Sequence, residues 1–295
     1  MLSLFSRDPS GEHLRSQDAI THTIISIQSE VVRGHVGNGA ARFALQRLGF
    51  DVWALPTVLL SNHPGHGKFR GETVAAVRLS ELIEGLAEHG WLGRCAGLIS
   101  GYLGAADQAG VVADAVRRVR AANPTALYLC DPVFGDDDGA YARLGVAEAM
   151  ARDLLPLADI ATPNRFELSS LTSQRIECPA DAVRAARLLG VREVVATSVP
   201  CGDGMIGSVA MTAGEAWMTS TRRLANVPSG TGDLLSALYL GARLGGEAVA
   251  GALQRASSSV HAIIEASVGA DELRLVGAQA ELESSKPMLA VEALP

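Results

Sequence analysis

Val227-Pro228-Ser229-Gly230-Thr231-Gly232-Asp233 runs without a break into Leu234-Leu235-Ser236-Ala237-Leu238-Tyr239-Leu240. A loop with two glycines thus feeds a helix that is apolar on nearly every side, which predicts a first turn pinned beside the core with its free N–H groups directed outward. That is an anion site. Gly230 and Gly232 let the backbone approach a phosphate closely, and the helix dipole favours negative charge at this end. Asp233, in the first turn, sets one carboxylate where a substrate hydroxyl would meet that phosphate. The geometry suits phosphoryl transfer, with the carboxylate taking the proton of the attacking hydroxyl and backbone donors holding charge on the moving group. The same residues also fit an ordinary glycine-capped loop whose Asp steadies a helix start.

Upstream of this stretch, strand and helix signals alternate. Thr21 to Ile27 reads as a strand, with Gln28-Ser29 facing whatever binds at its carboxyl edge. Asn38 to Leu48 reads as a helix stopped at Gly49, and Asp51 to Leu60 as a strand that Pro56 makes irregular or places at an edge. Ser61 to Gly71 is a glycine- and histidine-bearing loop too polar for core. A helical pattern follows from Leu79, then a strand at Cys95 to Ser100 with the exit loop Gly101 to Gly104. Ala105 to Ala122 is a helix, Thr125 to Asp131 a buried strand ending in a carboxylate, and Pro132 to Gly139 an acidic turn. A helix near Val146 to Leu155, a strand at Asp159 to Thr162, helices at Asn164 to Leu171 and Ala180 to Leu189, and a strand at Glu193 to Ser198 extend the alternation.

After that the rhythm changes. Ile206 to Thr212 and Glu215 to Thr221 read as a hairpin joined by Ala213-Gly214, and a last helix spans about Glu247 to Val268. The tail from Ser284 has no assignable pattern. Residues 1–20 read as a loosely ordered extension and residues 21–295 as one domain.

Strands alternating with helices imply an α/β fold: a mostly parallel sheet, right-handed crossovers and helices on both faces. In such sheets ligands bind outside the carboxyl ends of the strands. That rule collects Ser29, the Asn62 to Lys68 loop, Tyr102, Asp131 to Asp136 and Thr162 to Glu167 on one edge, and it raises the active-site reading of Asp233 over the capping one.

Composition narrows the class further. Of 295 residues, 48% are hydrophobic and 19% charged, which suits a globular protein with a sizeable core. A formal charge of −7 and a pI near 5.5 give no basic footprint, so nucleic acid is not an expected partner. An acidic protein that binds a nucleotide must supply local positive potential from helix N-termini, basic side chains or a metal ion. Cys95, Cys130, Cys178 and Cys201 share no CxxC spacing and read as reduced, mostly structural thiols. No apolar run approaches the ~20 residues of a membrane span and no signal-peptide pattern opens the chain, so the expected compartment is the cytoplasm.

Seven blocks in order complete the reading: Ser26 to Ser29, Gly34 to Asn38, Ser61 to His63, Ser100 to Tyr102, Cys130 to Asp136, Thr162 to Glu167 and Gly230 to Asp233. As a set they resemble pyridoxal kinases, of the ribokinase-like superfamily, from about Ile25 to the final helix. The resemblance implies ATP-dependent phosphorylation of the 5′-hydroxyl of pyridoxal, usually in a homodimer. By position it implies Asp233 as base and Gly230, Thr231 and Gly232 as anion hole, with Thr231 also meeting ATP. It implies Ser29, Val36, His63, Pro64 and Tyr102 around the substrate, and Asp131, Asn164, Glu167, Thr197 and Ser198 around the nucleotide. Asp136, with Asp131, Thr162 and Glu167, would serve Mg²⁺, and a monovalent cation, K⁺ or Na⁺, would accompany it. Glu30 stands where the family usually has His, Pro64 where Thr is common and Arg165 where Gln is common. Pro64 lacks both a hydroxyl and a backbone donor, which points to weaker binding of pyridoxal or a changed vitamer preference. A kinase for a hydroxymethylpyrimidine-type heterocycle would share every element but the ring pocket, and a non-catalytic paralogue that binds pyridoxal or its phosphate would keep the shape without turnover. His63 and His66, three apart without a third ligand, make a poor zinc site, and Trp53, Trp91 and Trp217 read as core.

Overall fold

The computed structural model describes residues 22–283 and 289–295, so the reading of residues 1–20 lies outside the described residues. The chain opens with β1 (Thr23–Arg33), α1 (Asn38–Arg47) and β2 (Asp51–Asn62), then β3 (Gly71–Thr73), α2 (Ala76–Glu88) and β4 (Cys95–Ser100). Next come α3 (Gln108–Ala122), β5 (Leu127–Cys130) and a two-stranded turn, β6 (Gly135–Asp136) and β7 (Gly139–Ala140). The elements α4 (Val146–Ala149), β8 (Ile160–Ala161), α5 (Arg165–Thr172), α6 (Pro179–Leu188) and β9 (Glu193–Pro200) continue the alternation. The last third holds β10 (Met205–Met211), β11 (Ala216–Arg222), α7 (Thr231–Leu244), α8 (Val249–Ser267) and β12 (Glu292–Leu294).

Among the described residues ten strands form one sheet, in the order β12-β11-β10-β9-β8-β5-β4-β1-β2-β3. The inner run β2-β1-β4-β5-β8-β9 is parallel throughout, as the alternation required. Side chains alternate across it with the two-residue period of a strand. Ile25 and Ile27, Leu98, Tyr128 and Cys130, Val194 and Ala196 point to one face, into a core built with α2 to α6. Ile24, Ile99, Leu129 and Val195 point to the other, against α1, α7 and α8. Helix α7 is buried at every position from Leu234 to Ala242, which is why its sequence is apolar all round. Each of its buried leucines contributes about 1.5–3 kcal/mol, enough to fix its N-terminus at the sheet edge.

Several boundaries differ from the sequence reading, each for a local reason. Strand β1 continues six residues past Ile27, because Glu30 to Arg33 pair with an equally extended β2, and β3 returns antiparallel along β2 as the sheet's outer strand. Pro56 lies where that pairing slips: Gln28 faces Pro56 but Glu30 faces Leu59, leaving an extra residue on β2. The buried Asn38 side chain donates to the freed carbonyls of Gln28 at 3.1 Å and Leu55 at 3.2 Å, and accepts from Ser26 Oγ at 2.7 Å. The hairpin β10–β11 is joined by four residues, 212–215, rather than two, and Thr212 N–H donates to the Glu215 carbonyl across it. The tail that had no pattern supplies β12, three residues against β11, too short to leave a period. Trp91 departs from its core assignment: it is 40% exposed and stacks on His89, with ring centroids 4.3 Å apart. All four cysteines are free.

Candidate active site

Parallel strands deliver their exits to one edge, and there the chain forms a cavity of about 720 Å³. Its lining includes every residue that the resemblance places at the substrate, the nucleotide or the metal: Ser29, Val36, His63, Pro64, Tyr102, Asp131, Asp136, Thr162, Asn164, Glu167, Thr197, Ser198 and the run Gly230 to Asp233.

Gly230 caps α7 with φ 100°, a conformation only glycine adopts without strain, and leaves the N–H groups of the first turn facing the cavity. A Cβ on Gly232 would meet no heavy atom within 4 Å, so the space beside this turn is open. Asp233 Oδ2 accepts from the Gly37 N–H at 2.8 Å. Burial pushes the Asp233 carboxyl up to about 6, and the Gly37 hydrogen bond opposes that rise. A carboxylate with this poise accepts a proton far more readily than an exposed one and is still mostly ionised at neutral pH.

Asp131 directly follows β5, 3% exposed, and Ser236 Oγ, in the second turn of α7, donates to its Oδ2 at 2.9 Å. Thr162 Oγ1 lies 2.9 Å from the same hydroxyl. Burial, and next the Asp233 charge, push Asp131 up to about 8, with Ser236 and Thr162 pulling the other way. Glu167 and Asn164 form a capping box at the start of α5. Glu167 Oε2 accepts from Asn164 N–H at 2.9 Å and Oε1 from Phe134 N–H at 3.1 Å, while Asn164 Nδ2 donates to the Gly135 carbonyl at 2.7 Å. These two residues therefore hold the acidic turn that carries Asp136. Burial, and then Asp131, raise Glu167 well above the ordinary carboxylate range.

Thr197 and Ser198 reach the cavity through a bulge in β9. There Val199 pairs with Gly207 but Ala196 with Val209, and Ser198 takes the left-handed φ of 58°. A bulge of this kind re-aims side chains at a ligand edge.

The substrate side is built from the β1 exit and the hairpin of β2 and β3. A short 3₁₀ turn, Pro64–His66, is capped by His63, whose Nδ1 accepts from Gly65 N–H at 3.2 Å. Proline at the first position of such a turn gives up only a donor that would have no intrahelical partner, so its backbone loss costs little; the missing hydroxyl facing the cavity is what changes recognition. Glu30 points the other way, with its Oε1 3.3 Å from Arg42 Nη2 on α1. It does not line the cavity, and the departure from His at this position leaves the pocket untouched. Arg165 is balanced by Asp137 at 2.5 Å.

Among the lining residues with chemistry to offer that sequence reasoning missed are Phe69, Glu72, Tyr141 and Arg143. Among the described residues Arg143 is the only lysine or arginine in the lining, in a cavity that also presents Glu72, Asp131, Asp136, Glu167 and Asp233. The one available signal was a lone aromatic or basic residue in a glycine-rich turn. Among the described residues no three His, Cys, Asp or Glu side chains are grouped to hold a metal alone. The donor set nevertheless fits a hard divalent cation, because Mg²⁺ takes one or two carboxylates and completes its shell with phosphate oxygens and water. Asp131 and Glu167, each raised by burial and then by a neighbouring carboxylate, are what such a charge relieves.

Comparison with known proteins agrees with this geometry. A sequence model of the phosphomethylpyrimidine kinase family matches residues 95–275. The chain is 44% identical over 269 residues to a pyridoxal kinase of Rubrobacter xylanophilus, covering 88% of this chain and 93% of that one. It is 40% identical over 294 residues to a pyridoxal kinase of Deinococcus radiodurans, covering 93% and 99%. Pyridoxal kinase of Leishmania donovani, solved with ADP and pyridoxamine, superposes with a TM-score of 0.88 at 30% identity, over 92% of this chain and 99% of that one. No described helix is long and apolar enough to cross a membrane. With a ribokinase-like sheet, a glycine-capped anion site and relatives of this kind along nearly its whole length, the chain belongs to the pyridoxal kinases of the phosphomethylpyrimidine kinase family.

Proposed function

We propose that this protein transfers the γ-phosphoryl group of ATP to the 5′-hydroxyl of pyridoxal, giving pyridoxal 5′-phosphate and ADP. The observation that carries the reading is one cavity in which a half-buried carboxylate, Asp233, sits in the first turn of α7 beside N–H groups that no side chain caps. Asp233 takes the hydroxyl proton as the oxygen attacks the γ-phosphorus; the bond to the β-phosphate oxygen breaks, and the N–H groups of Gly230 to Gly232 hold the charge that develops. Ser29, Val36, His63, Pro64 and Tyr102 orient the ring, and Asn164, Thr197, Ser198 and Thr231 meet the nucleotide. Asp131, Asp136, Thr162 and Glu167 offer the oxygens that would hold Mg²⁺, with K⁺ or Na⁺ beside it; bound there, Mg²⁺ neutralises phosphate charge. The enzyme works in the cytoplasm as a homodimer on this reading.

A second reading has the family match behind it: phosphorylation of a hydroxymethylpyrimidine. An ATP-consumption assay on pyridoxal, pyridoxine, pyridoxamine and the pyrimidine separates the two, and turnover of the pyrimidine alone would overturn the first. Of the departures Glu30 and Pro64, which would favour the non-catalytic alternative, Glu30 pairs with Arg42 outside the cavity and only Pro64 speaks for it.

Pro64→Thr restores a hydroxyl to the cavity without disturbing the β-hairpin. The KM for pyridoxal should fall by about threefold to tenfold, the worth of roughly one hydrogen bond. An unchanged KM would remove Pro64 from the recognition surface.

Stability should depend on pH in an unusual sense. Asp233 and Asp131 are raised from 3.8 to about 6 and about 8, so between roughly pH 4 and 8 the native state holds more protons than the unfolded chain. Stability gained by those protons is full below the unfolded value and lost as pH rises through the folded ones. Without ligands, Tm therefore falls across this window, and Mg²⁺ with ADP flattens the fall. A ligand-free Tm that climbs through the same window would contradict the assignment of these two carboxyls as raised by desolvation and, for Asp131, by the neighbouring Asp233 charge.

A further inference from the structure

Asp271 and Glu272 lie in the segment after α8, and no step of phosphoryl transfer uses them. They are nonetheless the point at which three segments around the cavity meet. Glu272 Oε2 accepts from the His35 N–H at 3.3 Å, while Oε1 lies 3.5 Å from Arg33 Nη1 and 3.6 Å from His66 Nε2. Arg33 also meets Asp271 Oδ2 at 2.5 Å, and His66 Nε2–H donates to the Asp271 carbonyl at 3.1 Å. Arg33 ends β1, and His66 belongs to the turn beside Pro64. The Glu272 side chain is only 17% exposed, and its Oε1 is buried without a hydrogen bond of good geometry, so charge rather than a direct bond draws Arg33 to it, with the His66 ring 3.6 Å away.

The backbone that Glu272 grips is the backbone that touches the reacting end. A Cβ on Gly34 would run into the Glu272 carboxylate, so the two are in close contact. Three residues on, Gly37 N–H holds Asp233 Oδ2 at 2.8 Å. Between them the His35 carbonyl packs so tightly on Gly230 that a Cβ there would strike it. A shift at Gly34 and His35 is therefore passed to Asp233 and to the start of α7.

We infer that Glu272 is a positioning residue for phosphoryl transfer: one oxygen sets the loop that orients Asp233, and the other draws Arg33 and the His66 turn onto the substrate side of the cavity. The inference rests on the phosphoryl-transfer reading above.

The two oxygens can be separated by substitution. Glu272→Gln keeps an acceptor for the His35 N–H but turns an NH₂ group toward two donors, Arg33 and His66, whereas Glu272→Ala removes both functions. Steady-state kinetics of pyridoxal phosphorylation, with thermal midpoints, are measured for the full chain and both variants. The expected result is a KM for pyridoxal raised by about fivefold or more in both variants, with kcat down by about tenfold or more in Glu272→Ala and within about threefold of wild type in Glu272→Gln. Equal loss of kcat in the two variants, wild-type constants in both, or a drop in active fraction that follows a lowered Tm with KM unchanged would overturn it. Should Glu272→Ala not fold, the split in Glu272→Gln between KM and kcat decides alone. A wild type that turns over no pyridoxal overturns the kinase reading and this inference with it; an active wild type with indifferent variants overturns this inference only.

Discussion

Replacing Asp233 by Asn should lower kcat by about a hundredfold to ten-thousandfold, the usual cost of losing a general base. The fold should survive intact. Asn Oδ1 can still accept from the Gly37 N–H, and a neutral amide replaces a carboxylate whose burial already disfavours its charge, so Tm should hold or rise. A loss of activity without a loss of stability is what distinguishes a base from a capping residue, the other reading that the helix start admits. In the wild type the acid limb should follow the same group: the base works ionised, so kcat/KM rises with pH through about 6. An Asn variant that keeps its rate, or an acid limb that stays at the ordinary carboxylate value, would point to Asp233 as a structural cap.

The second large effect separates two glycines two residues apart. Gly230→Ala forces a Cβ onto a residue at φ 100° and into the His35 carbonyl, so strain of about 1–3 kcal/mol is expected together with displacement of the loop that holds Asp233. Turnover should fall by about a hundredfold or more, since the N–H groups no longer face the charge they stabilise. Gly232→Ala meets no protein atom and gains about 1 kcal/mol of helix propensity, so Tm should hold or rise. Its methyl group enters the space assigned to phosphate, and the KM for ATP should climb. If Gly232→Ala left ATP kinetics unchanged, the phosphate would have to sit elsewhere.

These contrasts also show where the sequence was legible. The alternation of β-branched runs with helical patterns was enough for the parallel sheet, because side-chain periodicity reports which face is buried. The rule that ligands gather at strand carboxyl ends then predicted one edge for residues as distant as Ser29 and Asp233, and they line one cavity. What stayed hidden depends on register. Glu30 and Val31 are adjacent in sequence, yet the pleat turns Val31 to the cavity and Glu30 to Arg42, and no single-sequence pattern reports that the strand continues there. The bulge that re-aims Thr197 and Ser198 is invisible for the same reason. Glu272 carried no motif, since its contacts with His35, Arg33 and His66 span more than two hundred residues.

One reaction tests the phosphoryl-transfer assignment directly. Incubating the wild-type protein with ATP, Mg²⁺ and pyridoxal, and following the absorbance of pyridoxal 5′-phosphate alongside released ADP, should give both products in equal amounts. Pyridoxal bound without either product, or ADP released without pyridoxal 5′-phosphate, would contradict it.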